Sequence, residues 1–415
     1  MPAAGARGAS SLSRLLLGAF GDPGHAFPMI ALGRELAARG HDVTLQTWSR
    51  WRSDVEAEGM RFAAAPEYHV FHTREQPLTP YEAVERATRE TIGLVADVAP
   101  DAVVADILTL APALAAELEG VAVATLIPHV DPRLAPGCAP YSSGARAPRT
   151  RAGRLLWHGA NPLLAAGLRR GRRELNETRA RLGLPAVERV HGGISEALCL
   201  VGTFPQLEYP RAPRAGTHVV GPLLWEPPSG DVELPPGDEP LVLVAPSTSQ
   251  DGSHRLLRAA LAGLADLPVR VLATWNRRAP QPPIEVPANA RVVEWVSYAR
   301  TMPECDVVVC HGGHGTVARA LASGCAVVAV PAGGDMNENA ARLEWAGAGV
   351  RLPRRLCSPR GLALAVGRAL GRPAVHERAL ELQAWAASND GAVGAANLVQ
   401  GFAHDRSVVF ARDRD

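Results

Sequence analysis

The sequence predicts an α/β protein of two Rossmann-like, doubly wound lobes facing a central cleft. Three features carry this expectation. Short apolar runs alternate with turns and helical patterns through the first half of the chain. The same rhythm restarts near residue 241. Between the two lies WEPPSGDVELPPGDEP (225–240), whose five prolines and two glycines offer little to bury and read as a linker over 226–240. Domains over 1–225 and 241–415 follow, a division that suits 415 residues because a single core rarely grows past roughly 250–300. The last helix is expected to pack back on the N-terminal lobe.

In chain order, the run from Leu12 to Phe20 predicts a first strand ending in Gly21-Asp22-Pro23-Gly24-His25. A helix follows with Met29, Ile30, Gly33, Leu36 and Ala37 on one side, stopping at Arg39-Gly40. Val43 to Thr47 reads as the second strand, Ala102 to Ala105 and Val121 to Leu126 as later ones, with a helix through Leu114 to Leu118 between them. The arginine-rich stretch from Arg149 to Arg181 reads as a solvated helix face. Beyond the linker, strands are expected at Leu241–Ala245, Val269–Ala273, Val292–Trp295, Val307–Cys310 and Ala326–Val330. Buried parallel strands with helical crossovers are the expected sheets, with ligands at the strands' carboxyl ends.

Composition narrows the chemistry. All 43 basic residues are arginine, against 42 acidic ones. The net charge of +1 argues against nucleic acid as a partner. Lacking lysine, the chain has neither a Schiff-base amine nor the lysine of a P-loop. Six scattered cysteines form no C-x-x-C pair, and no apolar run reaches the ~18 residues of a membrane span. A cytoplasmic protein is expected, with the N-terminal residues read as a loose tail rather than a signal peptide.

The segment Cys310-His311-Gly312-Gly313-His314-Gly315-Thr316 stands between a predicted strand and a predicted helix. Glycines let the backbone turn tightly, and the helix start presents unpaired N–H groups carrying partial positive charge. That combination suits a diphosphate, with side-chain hydrogen bonds from His311 and Thr316; a purely structural glycine turn is the alternative. His311 and His314 do not define one helix face and have no third partner nearby, so no metal site is expected.

This segment, followed by Val330-Pro331-Ala332-Gly333-Gly334-Asp335-Met336-Asn337-Glu338-Asn339-Ala340 and Gly347-Ala348-Gly349-Val350, resembles the C-terminal signature of inverting GT-B glycosyltransferases. These are the macrolide, antibiotic and plant-type enzymes that use UDP- or dTDP-activated sugars. Gly24-His25-Ala26-Phe27-Pro28 and Gly40-His41-Asp42-Val43-Thr44 resemble the opening of the same family. Residues 60–240 match only in style, and there the family shapes its acceptor pocket.

The resemblance implies His25 as general base, a role an imidazole of ordinary pKa about 6.5 can fill. It implies Asp106 as the carboxylate orienting that ring, a helix N-cap ahead of Thr109 to Leu118 being the competing reading. On the donor side it implies His311 with Gly313, His314, Gly315 and Thr316 around the diphosphate, and Ser247 and Thr248 in the loop after the lobe's first strand. Ser247 stands where the family commonly has glycine. Trp295 and Val296 would meet the base, Ser297-Tyr298 replacing a frequent Pro-Gln, though a tryptophan is as readily a core residue. Asp335 and Met336 would meet the sugar.

Two departures point toward a dTDP-linked deoxysugar rather than UDP-glucose. Arg319 replaces a glutamate that grips both ribose hydroxyls, and Met336 replaces a hydrogen-bonding glutamine. No cofactor or metal is implied beyond the nucleotide-sugar co-substrate. The expected partners are that donor and an apolar small-molecule acceptor, with the formation of a homodimer left open. A nucleotide-sugar epimerase or hydrolase, or a non-catalytic partner of another transferase, remains the alternative function.

Overall fold

The computed structural model describes residues 12–66, 80–247, 252–276 and 279–405. By internal packing the chain forms two compact units, one of residues 1–126, 172–199 and 395–415, the other of residues 127–171 and 200–394. The first part of the chain runs β1 (Arg14–Gly18), α1 (Pro23–Ala38), β2 (Asp42–Thr47), α2 (Arg52–Ala57), β3 (Arg61–Ala64), α3 (Pro80–Val98), β4 (Ala102–Asp106), α4 (Leu110–Leu118) and β5 (Ala122–Ile127). Then come α5 (Arg151–Arg181), β6 (Leu198–Val201) and β7 (Thr217–Val219). The remainder runs β8 (Leu241–Ala245), α6 (Arg255–Leu264), β9 (Arg270–Thr274), β10 (Ala290–Val293), α7 (Tyr298–Thr301), β11 (Val307–Cys310), α8 (His314–Ala322), β12 (Ala326–Ala329), α9 (Gly334–Ala346), β13 (Gly349–Arg351), α10 (Pro359–Leu370), α11 (Pro373–Ser388) and α12 (Gly391–His404).

One sheet has the order β3-β2-β1-β4-β5-β6-β7 and the other β10-β9-β8-β11-β12-β13. Pairing is parallel from β3 through β5 and from β10 through β13. In each sheet the order reverses beside the first strand laid down, between β1 and β4 and again between β8 and β11. Those reversals open a crevice at the carboxyl ends of the strands.

The central strands are apolar at every position because both faces are covered. Leu241, Leu243, Val308 and Cys310 enter one core cluster, whereas Val242, Val244, Val307 and Val309 enter another on the opposite face. All eight are fully buried, each larger side chain contributing about 1.5–3 kcal/mol. The same logic holds at β1, where Leu15, Leu16 and Leu17 are fully buried. From Ala395 onward α12 belongs to the first unit, and Arg39 Nη1 donates to Asn397 Oδ1 at 2.8 Å.

Some expectations need correction. The strand predicted at Val292–Trp295 ends at Val293, leaving Trp295 in the following loop. The arginine-rich helix is not only a solvated face: Arg179 is buried, makes a bidentate pair with Glu117 at 2.7 and 2.6 Å, and reaches the Pro185 carbonyl. The Pro-rich stretch has no regular element, yet Trp225 is buried and Val232 and Leu234 pack on the second unit's core. All six cysteines are free thiols. Among the described residues, no helix is long and apolar enough to cross a membrane.

Candidate active site

The first unit brings a histidine and a carboxylate together at its sheet's reversal. Gly18 of β1 is in register with Ala105 of β4, so Asp106 emerges beside the turn that follows β1. His25 lies in the first turn of α1 rather than in the turn before it, because that helix opens on Pro23, three residues earlier than the sequence suggested. Its amide and that of Ala26 donate to the Asp22 carbonyl at 2.9 and 2.8 Å. The preceding turn is pinned from outside: Trp51 Nε1 donates to the Gly21 carbonyl at 2.7 Å, and Arg50 donates to the same oxygen while lying over the Trp48 and Trp51 rings.

His25 Nδ1 is 2.8 Å from Asp106 Oδ1. An ionised carboxylate can only accept, so the proton sits on Nδ1 and the lone pair is left on Nε2. Asp106 is buried at 1% side-chain exposure against 16% for His25. Such burial requires further donors, and Oδ2 receives the Phe20 amide at 3.3 Å and the Thr109 hydroxyl at 3.5 Å. The Phe20 ring meets the imidazole edge-on, with centroids 6.1 Å apart. Asp106 does not cap the next helix; Thr109 occupies that position.

The second unit builds a different kind of site. Ala245 of β8, Cys310 of β11 and Ala329 of β12 share one register level. The loops starting at Pro246, His311 and Val330 therefore leave the sheet side by side. Gly312 has φ +83°, and a Cβ there would approach the Met336 carbonyl to 3.1 Å. A Cβ on Gly313 would fall 2.5 Å from His311 Nε2. Gly313 then caps α8, whose first residues are His314, Gly315 and Thr316, so their amides point from the helix start. Asn339 of α9 donates to the Gly312 carbonyl at 3.0 Å, which sets Asp335 and Met336, in the first turn of that helix, beside the loop.

His314 faces inward: its Nε2 donates to the Gly202 carbonyl at 3.2 Å. Burial, reinforced by the His129 charge, pushes its pKa down to about 3, so it is neutral at ordinary pH and serves as a strut. α9 is held by buried charge. Arg342 Nε donates to Glu338 at 2.9 Å and its Nη1 to Glu208 at 3.2 Å, with the guanidinium 4.2 Å from the Tyr209 ring centroid.

Ser247 is half-buried at the start of the loop after β8, while Thr248 lies outside the described residues. Trp295 stacks on Tyr298 at 16° with centroids 6.3 Å apart, and Val296 is buried. Arg255 and Arg354 went unremarked in the sequence. Together with His311 and Ala332 they line a small pocket, with space for little more than a water molecule, at this edge of the second sheet. They come from α6 and from the turn after β13, and no spacing rule links them to the glycine motif. Among the described residues, no group of three histidine, cysteine or acidic side chains is placed to hold a metal.

Residues 258–396 match the family model described as erythromycin biosynthesis protein CIII-like, C-terminal domain. The chain is 30% identical over 423 aligned positions to 4'-demethylrebeccamycin synthase of Lentzea aerocolonigenes, covering 94% of this chain and 99% of that one. It resembles the solved glycosyltransferase of kitacinnamycin with a TM-score of 0.75 at 21% identity, over 94% of this chain and 99% of the other. It also resembles the glycosyltransferase VinC solved in complex with dTDP, with a TM-score of 0.66 at 19% identity, over 94% and 99% of the two chains. Two parallel-sheet α/β units of this topology, together with a relative matched from end to end, place the chain in the antibiotic-type glycosyltransferase family, with the GT-B fold.

Proposed function

We propose that the protein is an inverting, metal-independent glycosyltransferase that moves a sugar from a nucleoside diphosphate to a hydroxyl of an apolar small molecule. The observation that carries this reading is the 2.8 Å contact between His25 Nδ1 and buried Asp106 at the reversal of the first sheet. As the acceptor oxygen attacks the anomeric carbon, its proton passes to His25 Nε2. The new C–O bond forms while the bond to the diphosphate breaks, and the leaving group departs with the electron pair. Asp106 keeps the ring in the reactive tautomer and stabilises the imidazolium. A single displacement inverts the anomeric centre.

The departing diphosphate would be met by His311, by the amides of Gly313, His314, Gly315 and Thr316, and by the guanidiniums of Arg255 and Arg354. Fixed donors of this kind stabilise developing negative charge without a metal ion. In this reading residues 1–225 serve the acceptor and residues 241–415 the donor, in the cytoplasm. Arg319 and Met336 support a dTDP-linked deoxysugar, as does the dTDP held by the VinC neighbour. The rebeccamycin-type relative supports a natural-product acceptor.

The test offers dTDP-deoxysugars and UDP-glucose with a panel of apolar hydroxylated acceptors, with and without EDTA. The expected result is a product of inverted anomeric configuration by NMR, faster from the dTDP donors and unaffected by EDTA. Retained configuration overturns the single displacement. Donor consumed equally well without acceptor would instead point to an epimerase or hydrolase.

A further inference from the structure

We infer that Glu226, from the Pro-rich stretch, is a positioning residue that holds the nucleobase platform formed by Trp295 and Tyr298. The inference rests on the reading of Trp295 and Val296 as the base-side contacts. Glu226 gathers three donors from three consecutive residues. Its Oε1 accepts from the Ser297 hydroxyl and from the Ala299 amide at 3.1 Å, and its Oε2 from the Tyr298 amide at 3.2 Å.

These three residues need an external anchor. α7 is a single turn of four residues, too short to sustain itself by its own hydrogen bonds. Ser297 has φ −70°, the angle a proline ring would fix covalently and a serine leaves free. The constraint comes from two contacts instead. The Ser297 hydroxyl accepts the Arg300 amide at 3.2 Å while donating to Glu226, and the Glu226 carboxylate, also bound to two backbone amides, fixes the turn. Charge-assisted bonds of this kind are roughly twice as strong as neutral ones.

The turn leads on to the ligand side. The Tyr298 ring stacks on Trp295, and its phenol lies beside the Asn276 side chain. Asn276 donates to the Pro246 carbonyl, one residue before Ser247. Thr274, two residues earlier, donates to the Glu294 carbonyl at 2.7 Å, next to Trp295. Glu226 thus sits at one end of a run of contacts that joins the base platform to the loop expected to approach the phosphates.

The experiment titrates dTDP, and separately UDP, into the full-length protein and its Glu226→Ala, Glu226→Gln and Trp295→Ala variants by calorimetry, alongside thermal unfolding. Glu226→Ala is expected to weaken the tighter nucleotide about tenfold or more, the scale of a lost charged anchor. Glu226→Gln should weaken it severalfold, with an unfolding midpoint close to that of the parent, and it carries the test should the alanine variant fail to fold. Trp295→Ala should weaken binding as well. Unchanged affinity in the Glu226 variants, with Trp295→Ala weakened, overturns the positioning role and spares the platform. Unchanged affinity in Trp295→Ala removes the platform itself, and the inference with it, whatever the Glu226 variants do.

Discussion

The two sheets reverse their strand order in the same way and use the reversal differently. Beside β1 the first unit places a side-chain pair, a partly exposed imidazole on a buried carboxylate. Beside β8 the second unit places backbone, a glycine turn running into the start of α8 with its inner histidine locked and neutral. A group that must gain and lose a proton needs access and a tunable partner. A group that only receives negative charge is served better by donors that cannot move. In the proposed reading the first site exchanges a proton during the reaction and the second only receives charge, and substitutions should separate them.

Asp106→Asn probes the first site. The amide can turn its NH₂ toward Nδ1 and stabilise the wrong tautomer, so kcat should fall by about 10²–10⁴-fold while nucleotide affinity measured by calorimetry stays unchanged. A matching loss of nucleotide affinity would erase the distinction. In the second unit Arg342→Met leaves buried Glu338 without its ion-pair partner, while Glu208 keeps Arg211. This should cost about 3–5 kcal/mol in denaturant unfolding, because an unpaired buried charge is worse than none.

Gly313→Ala brings a Cβ within 2.5 Å of His311 Nε2. Displacing that ring should weaken nucleotide binding about tenfold, about 1.4 kcal/mol, with the pH dependence of kcat unaltered. The remaining effect concerns His314 and accrues gradually as pH changes. Its folded pKa of about 3 lies below the ordinary 6.5, so between those values the unfolded chain binds a proton the folded chain refuses. Its contribution is complete above about pH 6.5 and fades as pH falls toward 3, by up to about 1.4 kcal/mol per pH unit. Stability curves of His314→Gln and the parent should converge as the medium is acidified; parallel curves would mean that the ring titrates normally.

The halves of the candidate site were legible in the sequence to different depths. Glycines are diagnostic when they stand at a strand-to-helix turn, which is why the segment from His311 to Thr316 could be read directly. His25 and Asp106 lie 81 residues apart, and only the family resemblance linked them. Arg255, Arg354 and Glu226 were not legible, because their relation to the site exists only through packing. In the fold, most buried strands announced themselves, whereas the buried β6 and the short β3, β7 and β13 did not. The last three have three or four residues with no fully buried position, too few to show a period. Arg179 misled for a related reason: its partner Glu117 is 62 positions away, so it looked like one more solvated charge.

The most direct measurement compares His25→Ala with the parent in single-turnover sugar transfer and in nucleotide binding. Transfer is expected to slow by about 10²-fold or more, with dTDP or UDP bound as tightly as before. Transfer at the parental rate by a folded, nucleotide-binding variant would contradict the assignment of His25 as the base that accepts the acceptor's proton.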